Sequence, residues 1–212
     1  MKTDSLIAAL VADLSPTTLP IARTLTVCAV AGAGLAALIF FAMIGLRPDI
    51  AVAATTLRFQ FKVYFTIVLL IPALALTWRL SVPGARPSMW LWALLIAPGA
   101  LAVACVVELL TVPPTDWAAK LVGSNARACL TIIPLLALAP LVALLVGLSS
   151  GASTEPTLAS ASAGLASGAL AAMLYATNCT DDSPLFVAVW YTIAIAGVMI
   201  AAVLVGSYVL RW

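Results

Sequence analysis

Hydrophobic residues fill most of this chain in long stretches, separated by short clusters of polar and turn-forming residues. A helix needs about 20 mostly apolar residues to cross the hydrocarbon core of a bilayer, and the runs are continuous rather than alternating, which favours helices over a membrane barrel. The pattern therefore predicts an all-α fold, a polytopic membrane protein with a six-transmembrane-helix bundle. The predicted spans are Thr24–Leu46, Lys62–Leu80, Met89–Val112, Cys129–Leu148, Leu158–Thr177 and Leu185–Leu210.

The composition supports this class and excludes others. Of 212 residues, 64% are hydrophobic and 8% are charged, whereas soluble domains carry about 25% charged residues. The net charge of +2 is too small to indicate direct binding of nucleic acid. Histidine is absent, and with it the commonest acid–base group and metal ligand. Because we also find no CxxC pair, Walker loop, HExxH motif or serine-centred elbow, we expect no enzyme activity.

The first 22 residues differ from the rest. Asp4 and Asp13 interrupt the segment, which is unlike a signal peptide. Its apolar residues recur at the spacing of one helix face, and Ser15–Pro16 ends the pattern. We predict a short cytoplasmic amphipathic helix within residues 1–22, followed by a membrane domain of residues 23–212. The apolar face consists of Leu6, Ile7, Leu10, Val11 and Leu14.

This amphipathic helix has three interpretations. It could lie on the membrane surface, although surface helices usually carry several basic residues and only Lys2 is nearby. It could pack on the bundle, or it could dock into a groove of a soluble partner. The residues alone leave these alternatives open. Charge also leaves the orientation open, since six spans would place five basic residues on each side.

Two charged residues lie close to the predicted spans. Lys62 begins the second span, where its long side chain can snorkel to the interface. Glu108 lies late in the third span, and a carboxylate inside a membrane is a candidate functional residue. Glu108 is the main support for an alternative function, a small-solute or ion transporter or a channel-like protein.

Several uncharged residues within the spans are expected to be structural. Gly164 and Gly168 form a GxxxG pair, which allows two helices to pack closely inside the bundle. Cys28 and Cys105 lie within apolar spans and are expected to be packing residues. The spans also contain prolines, which remove amide donors and kink helices but are tolerated in membranes. These prolines are Pro72, Pro98, Pro134 and Pro140.

The other two cysteines are predicted to lie at one membrane face. Cys129 begins the fourth span and Cys179 follows the fifth, in "NCTDDSP", so the thiols can meet if these helices are neighbours. A helix N-terminus near Arg127 would lower the pKa of Cys129. Asp181 and Asp182 would raise the pKa of Cys179 or join the thiols as ligands of a metal. A sensing pair, a structural disulfide and two unrelated cysteines are the alternatives.

The segment from Arg127 to Tyr191, which contains "CTDDSPLFVAVWY", resembles the NrsF family of bacterial membrane anti-sigma factors, as do "MKTDSLIAAL" and "FKVYFT". The resemblance implies an inner-membrane protein of a Gram-negative bacterium with a cytoplasmic N-terminus. It implies that the chain sequesters an extracytoplasmic-function (ECF) sigma factor at the membrane and releases it under stress. Within this resemblance Cys129 and Cys179 are the sensing pair, and the N-terminal apolar face contacts the sigma factor.

The resemblance also shapes the expected chemistry. Asn178 stands where family members often have histidine, which leaves thiol chemistry or a transient metal held by Cys129, Cys179 and the adjacent aspartates. No other cofactor is expected, and the partners are the sigma factor and membrane lipid. We expect the loop with Cys179 to face the periplasm, where the thiol can meet the outside environment. Reaction of both thiols would link two helices. This link would change the surface that the N-terminal helix presents to the sigma factor on the cytoplasmic side.

Overall fold

The computed structural model describes Thr3, Ile7 and residues 21–84, 88–151 and 153–210. All regular elements in these residues are helical, which confirms the all-α fold. The elements are α1 (Ile21–Met43), α2 (Ile50–Ala53), α3 (Leu57–Leu80), α4 (Ser88–Ala93), α5 (Ile96–Thr111), α6 (Pro114–Val122), α7 (Ala126–Ser149), α8 (Pro156–Ala176), α9 (Pro184–Phe186), a π-helical segment (Val187–Tyr191) and α10 (Thr192–Val209).

Six helical stretches in the described residues are long and apolar enough to cross a membrane, as predicted. Two of them start considerably earlier than predicted: the fourth begins at Pro114, since it includes α6, and the second begins with α3 at Leu57 rather than Lys62. The Thr56 hydroxyl accepts a hydrogen bond from the Phe59 backbone N–H at 3.4 Å and caps this helix. The polar residues that follow Thr56 therefore belong to a helix rather than to a loop.

The prolines affect the spans unequally. The third span is interrupted between α4 and α5 at Leu94–Leu95. Pro98 lies in the first turn of α5, and its ring excludes a helical hydrogen bond to the Leu94 carbonyl four residues earlier. Pro72 in α3 and the two prolines of α7 lie inside continuous helices.

Helix α8 is the centre of the bundle and packs against α3, α7 and α10. Its small residues allow this close contact. A Cβ atom added to Gly164 would lie 2.7 Å from the Met199 Cα of α10, and one added to Gly168 would lie 3.3 Å from the Ile195 Cα. The GxxxG pair is therefore a packing surface within the bundle, as predicted.

Most of the predicted N-terminal helix lies outside the described residues, including Leu6, Leu10, Val11 and Leu14. Thr3 and Ile7 are helical, and 54% of the Ile7 surface is exposed. The proposed docking function of this segment stays a prediction.

Candidate functional site

Three connections meet at one end of the bundle, which we call the thiol face and define by residues 44–56, 112–125 and 177–183. The Arg47 backbone N–H donates to the Thr177 carbonyl at 3.1 Å. The Ser124 backbone N–H donates to the Asp181 carboxylate at 2.9 Å. These contacts place the loop after α8 between the other two connections, which is the common side that the six-span topology predicts.

Cys129 and Cys179 lie side by side at the thiol face. Cys129 is in the first turn of α7, and Cys179 follows the end of α8. Both are free thiols with 0% of their surface exposed. The two thiols lie close enough to influence each other electrostatically, and the Cys179 sulfur lies 3.8 Å from the Asp181 carbonyl oxygen. The prediction that the two thiols meet is confirmed, whereas an exposed position for Cys179 was wrong.

Lys62 is buried beside this pair. The prediction that its side chain snorkels to the interface was wrong. Its Nζ donates to the Cys179 carbonyl oxygen at 2.8 Å and to the Asp181 carbonyl oxygen at 3.3 Å, and it forms an ion pair with the Asp182 carboxylate. None of the Lys62 surface is exposed. A buried ammonium group is stable only when it is paired and hydrogen bonded, and the loop after α8 supplies both kinds of partner.

Arg47 is a second cation bound to the same loop. Its Nη1 donates to the Asp182 carboxylate at 2.8 Å and lies 3.4 Å from the Cys179 carbonyl oxygen. Its Nε donates to the Asp49 carboxylate at 2.7 Å. This hydrogen bond lowers the pKa of Asp49, and together the two carboxylates raise the pKa of Arg47. Asp182 is thus shared by two cations, one from α3 and one from the loop after α1.

Asp181 has a different role from its neighbour. Its carboxylate accepts hydrogen bonds from the backbone N–H groups of Ser124 and Asn125 at 2.9 and 2.8 Å, and from the Asn125 side-chain amide at 2.9 Å. These groups precede α7, so Asp181 caps the helix that carries Cys129. Both predicted acidic site residues therefore lie at the site, where they fix the loop in place.

Two tyrosines that the sequence reasoning missed complete the surroundings of the thiols. Tyr175 and Tyr191 lie in the same buried core as Cys129 and Cys179, with their ring centroids 6.4 Å apart. Among the described residues, Tyr191 Oη is the buried side-chain oxygen or nitrogen without a partner in good geometry. Tyr191 ends the π-helical segment, a distortion that is frequent at functional sites. The Trp190-Tyr191 pair within an apolar run was the sequence feature that could have indicated Tyr191.

Cys179 is the more acidic thiol of the pair. The adjacent Cys129 thiol and the positive charge of Lys62 lower the pKa of Cys179 to about 7, against the effect of burial. The prediction that Asp181 and Asp182 raise this pKa was wrong, because those carboxylates are occupied by other partners. The prediction that Arg127 would make Cys129 the acidic thiol was also wrong, since Arg127 is exposed.

Glu108 also belongs to the thiol face rather than to a route through the membrane. Its carboxylate lies 3.1 Å from Arg58 and 3.9 Å from Lys120, and it accepts a hydrogen bond from the Ser183 hydroxyl at 3.3 Å. Only 4% of the Glu108 surface is exposed. The carboxylate that favoured a transporter is therefore a structural partner of two cations.

Possible metal ligands are few among the described residues. Within them, no three His, Cys, Asp or Glu side chains are grouped in a way that could hold a metal ion. The thiols still offer two adjacent soft ligands, while the adjacent carboxylates are turned toward Lys62, Arg47 and the start of α7. A transient metal at the cysteine pair stays a prediction.

The fold and the site define a class: a helical protein with six membrane-length spans and a buried pair of free thiols at one face. The chain belongs to the NrsF family, described as negative regulator of sigma F, whose model matches residues 10–212. It is 32% identical over 215 residues to the probable anti-sigma-F factor NrsF of Azospira oryzae. It is 33% identical over 215 residues to the anti-sigma-F factor NrsF of Caulobacter vibrioides. Both alignments cover 100% of each chain, and no solved structure matches the sequence.

Proposed function

We propose that this chain is a membrane anti-sigma factor of the bacterial inner membrane. It holds an ECF sigma factor at the cytoplasmic side and releases it when a stress agent reacts with Cys129 and Cys179. The regulatory role is supported by family membership and by the similarity to two proteins named as anti-sigma-F factors. The observation that carries the sensing role is the pair of free, buried thiols that lie in one core cluster at the thiol face.

The signal and the partner act at opposite ends of the bundle in this proposal. Helix α1 ends at the thiol face, so its first residue, Ile21, lies at the other end of the bundle, where the N-terminal segment is joined to it. The sigma factor contacts the apolar face of that segment, whose residue Ile7 is helical and exposed. The thiol face is then periplasmic, and the N-terminus is cytoplasmic.

Helix α8 provides the mechanical connection between the two ends. Its 21 residues extend about 30 Å at 1.5 Å per residue, and Gly164 and Gly168 pack it tightly against α10. Joining Cys179, just after α8, to Cys129 in α7 changes how these helices meet at the thiol face. Closely packed helices shift as bodies rather than deform smoothly. Release requires that the two arrangements differ in affinity for the sigma factor.

Two reactions at the thiols can produce this change. A peroxide is attacked by the Cys179 thiolate, which gives a sulfenic acid and hydroxide. The Cys129 thiol then displaces the hydroxyl group as water and forms a disulfide. The hydroxide takes up the proton that Cys179 lost on ionising, so the two thiols lose two electrons and hydrogen peroxide becomes two waters. Alternatively, a soft metal ion bridges both sulfurs and releases their two protons.

Capture of the sigma factor tests the regulatory role. The full chain, purified in mild detergent, is mixed with the sigma factors of its host beside a version that lacks residues 1–20. We expect the full chain to retain one sigma factor and the shortened chain to retain none. Retention by both versions would move the contact to other residues of the cytoplasmic end. A well-folded full chain that retains no sigma factor would overturn the anti-sigma assignment.

Release of the captured sigma factor tests the thiols. Peroxide or a soft metal salt is added to complexes of the unmodified chain, Cys129→Ser, Cys179→Ser and the matched control Cys28→Ser. We expect release from the unmodified chain and from Cys28→Ser, and no release from the other two variants. Normal release from either Cys129→Ser or Cys179→Ser would reject the sensing pair while leaving the capture result in place.

A further inference from the structure

The thiols have no exposed surface, but they lie close to an open cavity with polar walls. A cavity of about 610 Å³ opens at the thiol face between α6, the start of α3 and the loop after α8. Thr180–Ser183 form one wall of this cavity, and the same loop covers Cys179, which has no exposed surface. The other lining residues are Thr56, Arg58, Asp116, Ala119 and Lys120.

The thiols themselves lie among buried side chains. Cys129 and Cys179 belong to one continuous core with Tyr175, Phe186 and Tyr191, all of them buried. The cavity, in contrast, is lined by charged groups of both signs and by hydroxyl groups. Such a lining favours water over lipid, so the loop is the barrier between water and the thiols.

This loop is held by ionic contacts rather than by regular secondary structure. Asp182 supplies the central contact, because its carboxylate forms ion pairs with both Lys62 and Arg47. Both cations also donate to the Cys179 carbonyl oxygen. Lifting the loop away from the thiols therefore breaks contacts to two buried cations at once, and breaking a buried ion pair is costly.

We propose that this cavity is the port through which a small water-soluble, thiol-directed agent reaches Cys179, and that Asp182 is the latch that keeps the port closed. Lys62 and Arg47 hold the latch, and the stability of these ion pairs sets the dose of agent at which the thiols react. The proposal deepens the proposed function and rests on it for the meaning of the thiols. It concerns access to the sulfurs, which can be measured on the chain alone.

Thiol labelling in lipid nanodiscs tests the proposal, because both faces then meet the solution while a bilayer still covers the helices. Cys28 and Cys105 are replaced by alanine so that the sensing pair is the remaining set of cysteines. The probe is a membrane-impermeant methanethiosulfonate reagent with a sulfonate group, and its addition to Cys179 is followed by mass spectrometry. No sigma factor is present in this experiment, so the result is independent of capture and release.

The latch is tested by Asp182→Asn, with Glu155→Gln at the other end of the bundle as a matched control. We expect Asp182→Asn to label at least about tenfold faster, since the labelling rate of a buried group follows the population of the open loop. Glu155→Gln should label within about twofold of the parent. A folded Asp182→Asn variant that labels at the parent rate would overturn the latch.

The port is tested by filling the cavity. Ala119 lines it, while the neighbouring Ala118 is also exposed on α6 but does not. We expect Ala119→Trp to slow labelling about tenfold by closing the approach and Ala118→Trp to leave the rate unchanged. Equal rates in these two variants would overturn the port. This pair decides the proposal even if Asp182→Asn fails to fold.

Discussion

The Lys62 ammonium nitrogen lies 2.8 Å from the backbone carbonyl oxygen of Cys179, 117 residues further along the chain. This hydrogen bond fixes the position of the loop after α8 relative to α3. Because Lys62 has no exposed surface, its charge depends on Cys179, Asp181 and Asp182 for compensation. A buried charge constrains its surroundings in this way, since any loop position that removes these partners leaves the charge unpaired.

Replacing Lys62 by methionine is expected to destabilise the protein. Methionine keeps most of the side-chain volume but removes the ion pair and the hydrogen bonds to the loop. Loss of one partner of a buried ion pair costs about 3–5 kcal/mol, and we expect roughly 1–3 kcal/mol here because Asp182 keeps its contact to Arg47. The melting temperature in detergent measures the effect.

Lys120→Met is the matched control for this prediction. Lys120 is partly exposed and lies 3.9 Å from Glu108, a contact of the kind that contributes about 0–1 kcal/mol. We therefore expect a small change in melting temperature. Equal decreases in melting temperature in Lys62→Met and Lys120→Met would contradict the larger contribution to stability that we assign to the buried Lys62.

The stability of the protein should depend on the ionisation of Cys179. The pKa of this thiol is lowered to about 7 in the folded chain, against about 8.5 in an unfolded chain. The thiolate therefore stabilises the folded state fully above pH of about 8.5, and this contribution is lost as the pH falls through about 7.

Melting curves between these two pH values check that dependence. We expect the melting temperature to rise with pH more steeply in the unmodified chain than in Cys179→Ser, with Cys28→Ser behaving like the unmodified chain. The difference corresponds to a free energy of unfolding on the order of 1–2 kcal/mol. Parallel pH profiles for Cys179→Ser and the unmodified chain would contradict an acidic Cys179.

Removing the cap on α7 is expected to loosen the helix that carries Cys129. Asp181→Ala leaves the backbone N–H groups of Ser124 and Asn125 without their carboxylate partner, and loss of a helix cap costs about 0.5–2 kcal/mol. Hydrogen exchange of the first turn of α7 should accelerate in this variant. Asp116→Ala, which removes an exposed carboxylate from the same face, should leave that exchange unchanged, and equal protection in both variants would refute the capping role.

The spans were predictable because lipid as a solvent imposes a local rule. Each apolar run must be long enough to cross the bilayer and must satisfy its backbone groups internally. The start of α3 was predicted wrongly. Judged from its neighbours in the sequence alone, Lys62 resembles a residue at the polar end of a span. Its compensating charges lie on a loop far away in sequence, and no periodicity or turn signal in the neighbourhood of Lys62 indicates that contact.

The site was predictable only where topology determines it. Counting spans places Cys129 and Cys179 at one face, whatever the details of packing. The lowered pKa of Cys179 depends instead on the contact between the two thiols and on the position of Lys62, and the residues next to Cys179 in the sequence do not indicate either. Tyr191 was missed for a similar reason, because its position depends on a π-helical turn within an apolar run.

The close contact between α8 and α10 yields a final prediction. A Cβ atom at Gly164 would lie 2.6 Å from the Ala202 Cβ and 2.7 Å from the Met199 Cα, so the two helices must separate to admit it. We expect Gly164→Ala to lower the free energy of unfolding by about 1–3 kcal/mol, despite the better helix propensity of alanine. The melting temperature in detergent is the measurement.

Gly197→Ala separates this packing effect from helix propensity. Gly197 lies on α10 with nothing within 4 Å of its added Cβ, so alanine there should be neutral or stabilising by up to about 1 kcal/mol. If α8 carries the signal from the thiol face, Gly164→Ala should also alter sigma-factor release by peroxide, whereas Gly197→Ala should not. A Gly164→Ala variant that is destabilised but releases the sigma factor normally would assign the α8–α10 contact to stability alone and exclude it from signalling.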